Sequence, residues 1–159
     1  MSRERALAAL DEAGLPYRVV EHGPVRSLAE AAVARGVEPA DVIKTLVVRR
    51  GDDDYLFVLV PGDRTISWPK LRALLGVSRM SMPDAAAAKD ATGYERGTIT
   101  PFGSTTAWPV IADERISGRD VTLGAGDHGV AVLVAADAAV SVLGATVADV
   151  TEPEGDPGH

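Results

Sequence analysis

The chain alternates between stretches in which apolar residues recur at helical spacing and stretches rich in β-branched residues. In SRERALAALDEAG (2–14), leucines and alanines recur every three or four positions, and Gly14 supplies a stop. Ser67, Pro69 and Gly76 bracket a second helix as N-cap, first-turn and terminating residues. The same reasoning predicts three further helices, over 27–36, 83–93 and 136–144.

Runs of valine, isoleucine and leucine predict the strands. IKTLVVRR (43–50) and YLFVLVPG (55–62) flank the acidic turn GDDD and predict a β-hairpin, and their nearly continuous apolar character indicates burial on both faces. Shorter strands are predicted over 16–22, 78–82, 107–113, 120–126, 129–136 and 146–150. The mixture of hairpins and helices predicts an α+β fold with a mixed, mainly antiparallel, barrel-like sheet flanked by helices.

The composition fits one domain. Of the 159 residues, 46% are hydrophobic, which is enough for the core of a single domain, predicted over residues 1–150. The remaining segment, TEPEGDPGH (151–159), is acidic and is predicted to be a disordered tail. No apolar run approaches the roughly 20 residues of a membrane helix, and the N-terminus lacks the apolar core of a signal peptide. These features predict a cytoplasmic protein without a membrane partner.

The supply of charged and metal-binding residues narrows the classes of function. The chain has no cysteine, and His22, His128 and His159 are scattered, so neither a metal site nor a cofactor is expected. The net charge of −7 argues against broad binding to phosphate backbones, because such binding comes from summed contacts with lysine and arginine. A nucleic-acid partner therefore requires a local basic patch, for which the candidates are Arg18, Arg26, Arg49, Arg50 and Lys70.

One motif imitates a dinucleotide-binding loop. GAGDHG (124–129) fits G-x-G-x-x-G and follows a predicted strand. The residues after it, VAVLVAA, are typical of a strand, whereas a dinucleotide loop leads into a helix whose N-terminus meets the pyrophosphate. The glycines are therefore interpreted as a hairpin turn or a pocket wall, and His128 as either a turn histidine or a catalytic acid or base.

Lys44 and a glycine-rich loop form the strongest candidate site. Lys44 is the one cation in the apolar segment DVIKTLVV, and Thr45 follows it. It is either an edge lysine that extends into solvent or a positioned ammonium that holds a carbonyl or phosphate in a partly desolvated pocket. The loop TGYERGTITPFG (92–103) contains three glycines and a proline, which is typical of backbone that approaches a ligand closely.

Four segments, in this order, resemble the YbaK/prolyl-tRNA synthetase-associated domain family: Glu21-His22-x-Pro24, DVIKTL (41–46), TGYERGTITPFG (92–103) and GAGDHG (124–129). The resemblance covers about residues 1–150, and its specific part is the K-T-L strand together with the G-x-x-x-P loop. It implies a mixed α+β, barrel-like sheet with flanking helices. It also implies an aminoacyl-tRNA deacylase that removes, in trans, a wrong amino acid from the 3′-terminal adenosine of a tRNA, most often tRNA(Pro).

The resemblance assigns roles to residues that match the family's motifs. Lys44 matches the lysine most closely tied to activity, and it is expected to position the substrate and stabilise charge. The loop is expected to shape the aminoacyl pocket and help to exclude proline. The expected substrate-binding residues are Thr45, His22, Gly97, Thr98, Ile99, Thr100, Pro101, Gly124, Gly126 and His128. The expected partners are the aminoacylated 3′ end of tRNA and, as a further candidate, prolyl-tRNA synthetase.

Some positions depart from the family pattern. Thr98 replaces a glycine that is frequent in the loop, and Val20, Gly124 and Ala131 stand where cysteine-handling members tend to carry Tyr, Ser and Asp. These departures argue against specificity for cysteine, and they leave alanine, serine or another small amino acid open, and even a tRNA other than tRNA(Pro). Two other classes of function stay open at this stage: a non-catalytic module that binds an aminoacyl or nucleotide end, and a hydrolase of small-molecule esters.

Overall fold

Five α-helices and nine strands follow one another in residues 2–154, the part of the chain that the structure, a computed structural model, describes. None of these helices is both long and apolar enough to cross a membrane. The elements in chain order are α1 (Ser2–Glu12), β1 (Arg18–Glu21), α2 (Leu28–Arg35), β2 (Ile43–Gly51), β3 (Asp54–Pro61), β4 (Arg64–Ile66), α3 (Trp68–Leu75), α4 (Ala85–Thr92), β5 (Val110–Asp113), β6 (Asp120–Gly124), β7 (Val130–Ala135), α5 (Ala136–Leu143), β8 (Thr146–Ala148) and β9 (Thr151–Pro153).

The helix ends follow the capping signals of the sequence. The Ser27 hydroxyl accepts a hydrogen bond from the N–H of Glu30 (3.1 Å) at the start of α2, and Gly36 ends that helix with a φ of +73°. Asp84 caps α4 in the same way, with its carboxylate accepting from the N–H three residues on (2.8 Å). Ser67 precedes α3 as predicted, but its side chain makes no capping hydrogen bond.

The strands form three sheets. The largest has the order β2-β3-β5-β8 and is mixed, because β2 and β3 are antiparallel whereas β5 runs parallel to both β3 and β8. The second sheet, β1-β7-β6, and the small β4-β9 pair are antiparallel throughout. The predicted α+β class, the β2–β3 hairpin and the predominance of antiparallel pairing are therefore confirmed.

The predicted barrel-like closure is wrong. The two main sheets meet at one isolated bridge, between Val42 and Thr122, and β2 and β6 are not paired beyond it. β2 is therefore an edge strand of its sheet, and loop and helix residues, instead of another strand, face its middle residues. The candidate site forms in this gap between the two sheets.

Two hydrophobic cores lie on opposite faces of the largest sheet. The larger core lies between the two main sheets and includes residues of α1, α4 and α5, such as Leu10, Ala88 and Ala139. The smaller core includes Leu71 of α3 and Ile66 of β4. β3 contributes residues to both cores, which confirms the predicted burial of this strand on two faces.

Short strands are where sequence and structure disagree. Residues 78–82 form no strand, and their pairing is limited to an isolated bridge between Ser81 and Arg49. The sequence does not predict β4 and β9, because three residues are too few to show a period of two. β9 also corrects the predicted tail, because Thr151–Pro153 pair with β4, whereas residues 155–159 lie outside the described residues.

A charged cluster holds the C-terminal strands against the largest sheet. Asp113, at the end of β5, is fully buried, and its carboxylate accepts hydrogen bonds from the Thr151 hydroxyl (2.9 Å), the Val150 N–H (3.2 Å) and the Arg115 guanidinium (3.1 Å). A buried carboxylate is costly unless donors surround it, and here several do. Asp113 therefore fixes the segment that leads into β9.

The cluster continues to the surface through Asp149. Its carboxylate accepts hydrogen bonds from Nη1 of Arg115 (2.8 Å) and Nζ of Lys70 (3.0 Å). These two cations, Arg115 first, hold the pKa of Asp149 at about 2. We call Asp113, Arg115, Asp149 and Lys70 the Asp113 cluster; each of its charges has a partner of opposite sign.

Candidate active site

A cavity of about 570 Å³ opens beside the edge strand β2. Its walls come from the first half of β2, the start of α4, the loop around Gly97 and the end of β6. Its volume is in the range that holds small ligands. The lining residues are Arg35, Val42, Ile43, Lys44, Thr45, Leu46, Val47, Met82, Pro83, Ala85, Ala88, Arg96, Gly97, Ile99 and Gly124.

The cavity brings together five of the residues predicted from sequence: Lys44, Thr45, Gly97, Ile99 and Gly124. They come from three distant parts of the chain, which the fold places around one space. The K-T-L strand and the glycine-rich loop therefore border the same cavity.

Lys44 and Thr45 line the cavity from opposite faces of β2. Successive side chains of a strand alternate between its two faces. Ile43 and Val47 pack in the larger core, whereas Leu46 packs against the smaller one. Thr45 therefore lies on the side of the larger core, and Lys44 lies on the side of the smaller core.

A backbone carbonyl anchors the ammonium group of Lys44. Nζ donates a hydrogen bond to the carbonyl oxygen of Arg64, in β4, at 2.5 Å. An ammonium has three N–H donors, and residues 2–154 supply no second acceptor. Two donors of Lys44 are thus available to a ligand.

The hydroxyl of Thr45 lacks a partner. Its Oγ1 is buried and makes no hydrogen bond within residues 2–154. A buried polar atom without a partner costs free energy, so folded proteins rarely keep one without a reason. Its place in the cavity wall makes a bound ligand a suitable partner.

The loop after α4 is held so that Gly97 forms the rim of the cavity. Gly97 has a φ of +90°, a conformation that favours glycine. The hydroxyl and the N–H of Thr98 both donate to the carbonyl of Glu95 (2.7 and 2.9 Å), which closes a tight turn. The N–H of Gly126 donates to the carbonyl of Thr98 (3.0 Å) and connects the loop to the β6–β7 turn. The Thr98 hydroxyl therefore serves the loop itself.

Close contact between β6 and the loop closes the wall beside Gly124. A Cβ atom at Gly124 would lie 3.2 Å from the carbonyl oxygen of Ile99. This spacing is tighter than most side chains tolerate, so glycine allows the two backbones to approach. The GAGDHG motif that begins at Gly124 forms the turn between β6 and β7 and leads into no helix, which agrees with its interpretation as a hairpin turn.

Six predicted residues lie outside the cavity lining, and four of them are buried. Thr98, Thr100 and Pro101 lie inside the loop, where the Thr100 hydroxyl accepts from the N–H of Phe102 (3.3 Å). A Cβ atom at Gly126 would lie 2.7 Å from the carbonyl oxygen of Ser2, so this glycine allows close packing against α1. These four residues shape the loop and its support.

The two predicted histidines lie at the margin of the site. His128 is exposed, and its Nε2 lies 3.6 Å from the carboxylate of Glu95. A Cβ atom at Gly97 would lie 3.5 Å from the His128 ring, so the ring borders the rim. His22 is half-buried, with Nε2 3.5 Å from Nε of Arg35.

Several residues that line the cavity were not predicted from the sequence. Arg35 ends α2, where a cation is common because it complements the helix dipole, so it gave no signal. Met82 and Pro83 lie in a segment interpreted as strand and helix start, and Ala85 and Ala88 belong to an unremarkable alanine run. Arg96 directly precedes the motif G-x-x-x-P, and its position beside that motif is the signal that could have identified it.

The cavity is electropositive although the chain is acidic. Arg35, Lys44 and Arg96 line it, and no carboxylate stands among its described lining residues. The chain as a whole carries a net charge of −7. Within residues 2–154, no three histidine or acidic residues lie close enough to hold a metal ion. The site is therefore suited to an anionic or strongly polar ligand.

A second basic feature lies toward the other end of β2. Four arginines, Arg49, Arg50, Arg72 and Arg79, line a surface cleft that we call the arginine cleft. Arg49 and Arg50 each form an ion pair, with Asp52 (2.6 Å) and Asp54 (3.1 Å). Of the predicted basic patch, the cleft contains Arg49 and Arg50, and its lining does not include Arg18, Arg26 or Lys70.

The chain is similar in sequence to several known proteins. A family model described as "Aminoacyl-tRNA editing domain" matches residues 22–141. A protein of Enterococcus faecalis named "Putative Cys-tRNA(Pro)/Cys-tRNA(Cys) deacylase EbsC" is 24% identical over 159 residues, which cover 96% of this chain and 95% of that protein. A proline–tRNA ligase of Thermosipho melanesiensis is 34% identical over 100 residues, which are 62% of this chain and 17% of the ligase.

The fold of the chain is similar to that of a solved structure. The crystal structure of "a putative trans-editing enzyme for prolyl tRNA synthetase" matches with a TM-score of 0.87 and 28% identity, over 97% of this chain and 98% of that one. The match includes the β2 strand and the glycine-rich loop, since it covers nearly the whole chain. Because the family model extends over most of the sequence, this chain belongs to the aminoacyl-tRNA editing domain family.

Proposed function

We propose that this protein is an aminoacyl-tRNA deacylase that hydrolyses, in trans, the ester of a mischarged small amino acid (Ala, Cys or Ser) on tRNA(Pro). The observation that carries the proposal is the cavity in which Lys44 of the K-T-L strand meets the Gly97 rim. Membership of the editing-domain family and likeness to a deacylase of nearly equal length support it.

The cavity offers charge stabilisation for ester hydrolysis. Water attacks the ester carbonyl, negative charge develops on its oxygen, and the bond from the acyl carbon to the ribose oxygen breaks as that oxygen takes up a proton. The ammonium of Lys44 and the backbone N–H groups of the loop are the donors proposed for the developing oxyanion. An aminoacyl ester is already reactive, so positioning beside water and charge stabilisation suffice.

The proton of the attacking water needs an acceptor. Neither a histidine nor a carboxylate stands among the described lining residues. The acceptor is therefore expected to be a basic group of the substrate, such as its α-amino group, and catalysis is expected to depend on Lys44 more than on any acid–base side chain.

The apolar part of the cavity is proposed to hold the amino-acid side chain. Ala85, Ala88 and Ile99 line it and carry no polar side-chain group. Such a surface accepts a small side chain, but it discriminates weakly between side chains that differ by one atom. Alanine, cysteine and serine all remain in the proposed substrate class, and a panel of esters has to choose between them.

The arginine cleft is proposed to contact the tRNA backbone. Lys44 and Arg49 lie on one strand, and five residues of extended chain span about 17 Å. A nucleic acid whose 3′ end enters the cavity can follow β2 to the cleft, where arginine pairs with phosphate. The cytoplasm, where charged tRNA is used, is the proposed location, and prolyl-tRNA synthetase is the proposed source of the mischarged tRNA.

The test is deacylation of tRNA(Pro) charged with alanine, cysteine, serine or proline. Wild type is expected to hydrolyse at least one of the three noncognate esters and to spare proline. Lys44→Ala is expected to lower kcat/KM by about 100-fold or more, the usual cost of losing one oxyanion donor. Lys89→Ala is the matched control, because Lys89 is exposed and lies outside the cavity lining.

Other results would favour another function. A folded wild type that hydrolyses none of the esters would contradict the proposal and favour a binding module. Full activity in Lys44→Ala would contradict the role of the ammonium. Rapid turnover of a free ester such as alanine methyl ester, with no preference for charged tRNA, would favour a small-molecule hydrolase.

A further inference from the structure

Arg35 has an environment that its place at the end of a helix does not explain. It is half-buried and lines the cavity. Its Nη1 donates to the hydroxyl of Thr122 (3.1 Å), which is fully buried, and its Nε points to Nε2 of His22 (3.5 Å). A hydroxyl group and an imidazole nitrogen therefore hold the guanidinium in place.

Arg35 is not needed to cap α2. The N–H of Gly36 bonds to the carbonyls of Ala32 and Val33, and the N–H of Val37 also bonds to Ala32 (3.0 Å). These backbone bonds satisfy the end of the helix. The guanidinium is turned instead toward β6 and the cavity.

The positive charge of Arg35 has no anionic partner in the part of the chain that the structure describes. Among residues 2–154, no carboxylate forms an ion pair with it, and its Nη2 has no acceptor. Burial lowers the pKa of Arg35, since it disfavours the charged form, although a guanidinium stays charged at neutral pH. A cation that is partly removed from water loses hydration, and an anion supplied by a ligand would compensate for that loss.

The fold fixes where such an anion would lie relative to Lys44. Thr122, which holds the guanidinium, pairs with Val42 at the bridge between the sheets. Val42 precedes Lys44 by two residues on the same stretch of chain, which corresponds to about 7 Å. Arg35 and Lys44 also line the same cavity, so an anion bound by Arg35 lies in the space that would hold an ester beside Lys44.

We propose that Arg35 is a positioning residue that binds the phosphate on the 5′ side of the terminal nucleotide. This inference rests on the proposed function, because the ester at Lys44 and the phosphate at Arg35 then lie on opposite sides of one ribose. The planar guanidinium can donate two N–H groups to one phosphate, and the bond to Thr122 fixes its orientation beforehand. The phosphate supplies the missing anion and sets the register of the ester against Lys44.

The test compares the binding of 5′-AMP and adenosine by calorimetry. Wild type is expected to bind 5′-AMP about tenfold or more tightly than adenosine, which is the usual size of a hydrogen bond to a charged group. In Arg35→Gln that advantage is expected to fall below about threefold, with adenosine binding unchanged. Arg119→Gln is the matched control, because Arg119 is exposed, is paired with Asp41 and lies outside the cavity lining.

A second variant separates orientation from folding. Thr122→Val removes the oxygen that holds Nη1 of Arg35 and keeps the shape of the buried side chain. The guanidinium is still present but no longer oriented, so the preference for 5′-AMP over adenosine is expected to fall. On charged tRNA, Arg35→Gln is expected to raise KM about tenfold with little change in kcat, as for a contact made equally in ground and transition states.

The outcomes separate this inference from the proposed function. Equal binding of 5′-AMP and adenosine by wild type, or an advantage that survives Arg35→Gln, would overturn the inference even if deacylation is fast. A phosphate advantage that depends on Arg35, in a protein that hydrolyses none of the esters, would support the inference and overturn only the deacylase proposal.

Discussion

Two charged regions of this molecule contrast in how their charges are matched. In the Asp113 cluster, Arg115 and Lys70 contact the carboxylates of Asp113 and Asp149. In the cavity, three cations and no carboxylate stand among the described lining residues. Charges that are paired inside the protein stabilise its fold, whereas cations that converge on a space without partners indicate a ligand. The first region therefore serves the structure, and the second serves the proposed reaction.

Removal of Asp113 tests the structural role of the Asp113 cluster and is expected to have the largest effect. Asp113→Ala is expected to lower the free energy of unfolding by about 3–5 kcal/mol, because it leaves Arg115 without its buried partner and Val150 without an acceptor. Urea denaturation measures the loss, and Asp52→Ala, at an exposed turn, is the control. A loss below about 1 kcal/mol would mean that the cluster is no more structural than a surface ion pair.

The second test concerns the cavity, where the buried hydroxyl of Thr45 has no partner within residues 2–154. Thr45→Val is expected to raise the free energy of unfolding by about 1 kcal/mol, since it replaces a buried oxygen without a partner by a methyl group. Deacylation is expected to fall in the same variant. Thermal unfolding and the ester panel measure the two effects, with the exposed Thr65→Val as control. A destabilised Thr45→Val protein would show that the hydroxyl supports the fold.

The smallest expected effect concerns acid. The pKa of Asp149 is about 2 in the folded protein against an ordinary value of 3.8, so the carboxylate stabilises the fold above pH 4 and loses this contribution as the pH falls toward 2. Asp149→Asn is expected to be slightly less stable at neutral pH and to lose less stability between pH 4 and pH 2. The unfolding temperature across this range measures the difference, and identical acid profiles of variant and wild type would contradict it.

The sequence predicts the elements of this fold better than their arrangement. Glycine and serine at the ends of α2, together with the apolar runs of β2 and β3, are local signals, and the structure confirms those elements. Strand order depends on contacts between distant segments, so the open arrangement of the sheets could not be read from any local pattern. The three-residue strands β4 and β9 exist because each pairs with the other, and neither segment signals a strand alone.

The residues of the candidate site, too, could be predicted from the sequence only in part. Lys44, Thr45 and Gly97 lie in motifs that draw attention by their composition, and the structure brings them to one cavity. Arg35 looks like an ordinary cation at a helix end, and its unpaired state becomes visible only when β6 is placed beside it. Thr98 and Pro101 belong to the motif but are buried, because a motif records the residues that shape a loop as well as those that face a ligand.

The pairing of β4 with β9 determines when, during synthesis of the chain, the support of Lys44 can form. Arg64, whose carbonyl anchors Lys44, pairs with Pro153, nearly ninety residues later in the chain. At a synthesis rate of about 5–20 residues per second, β4 leaves the ribosome several seconds before its partner strand exists. A nascent chain therefore carries Lys44 without its supported anchor until residues 151–153 have been made, and the chemistry of the cavity becomes available only after that.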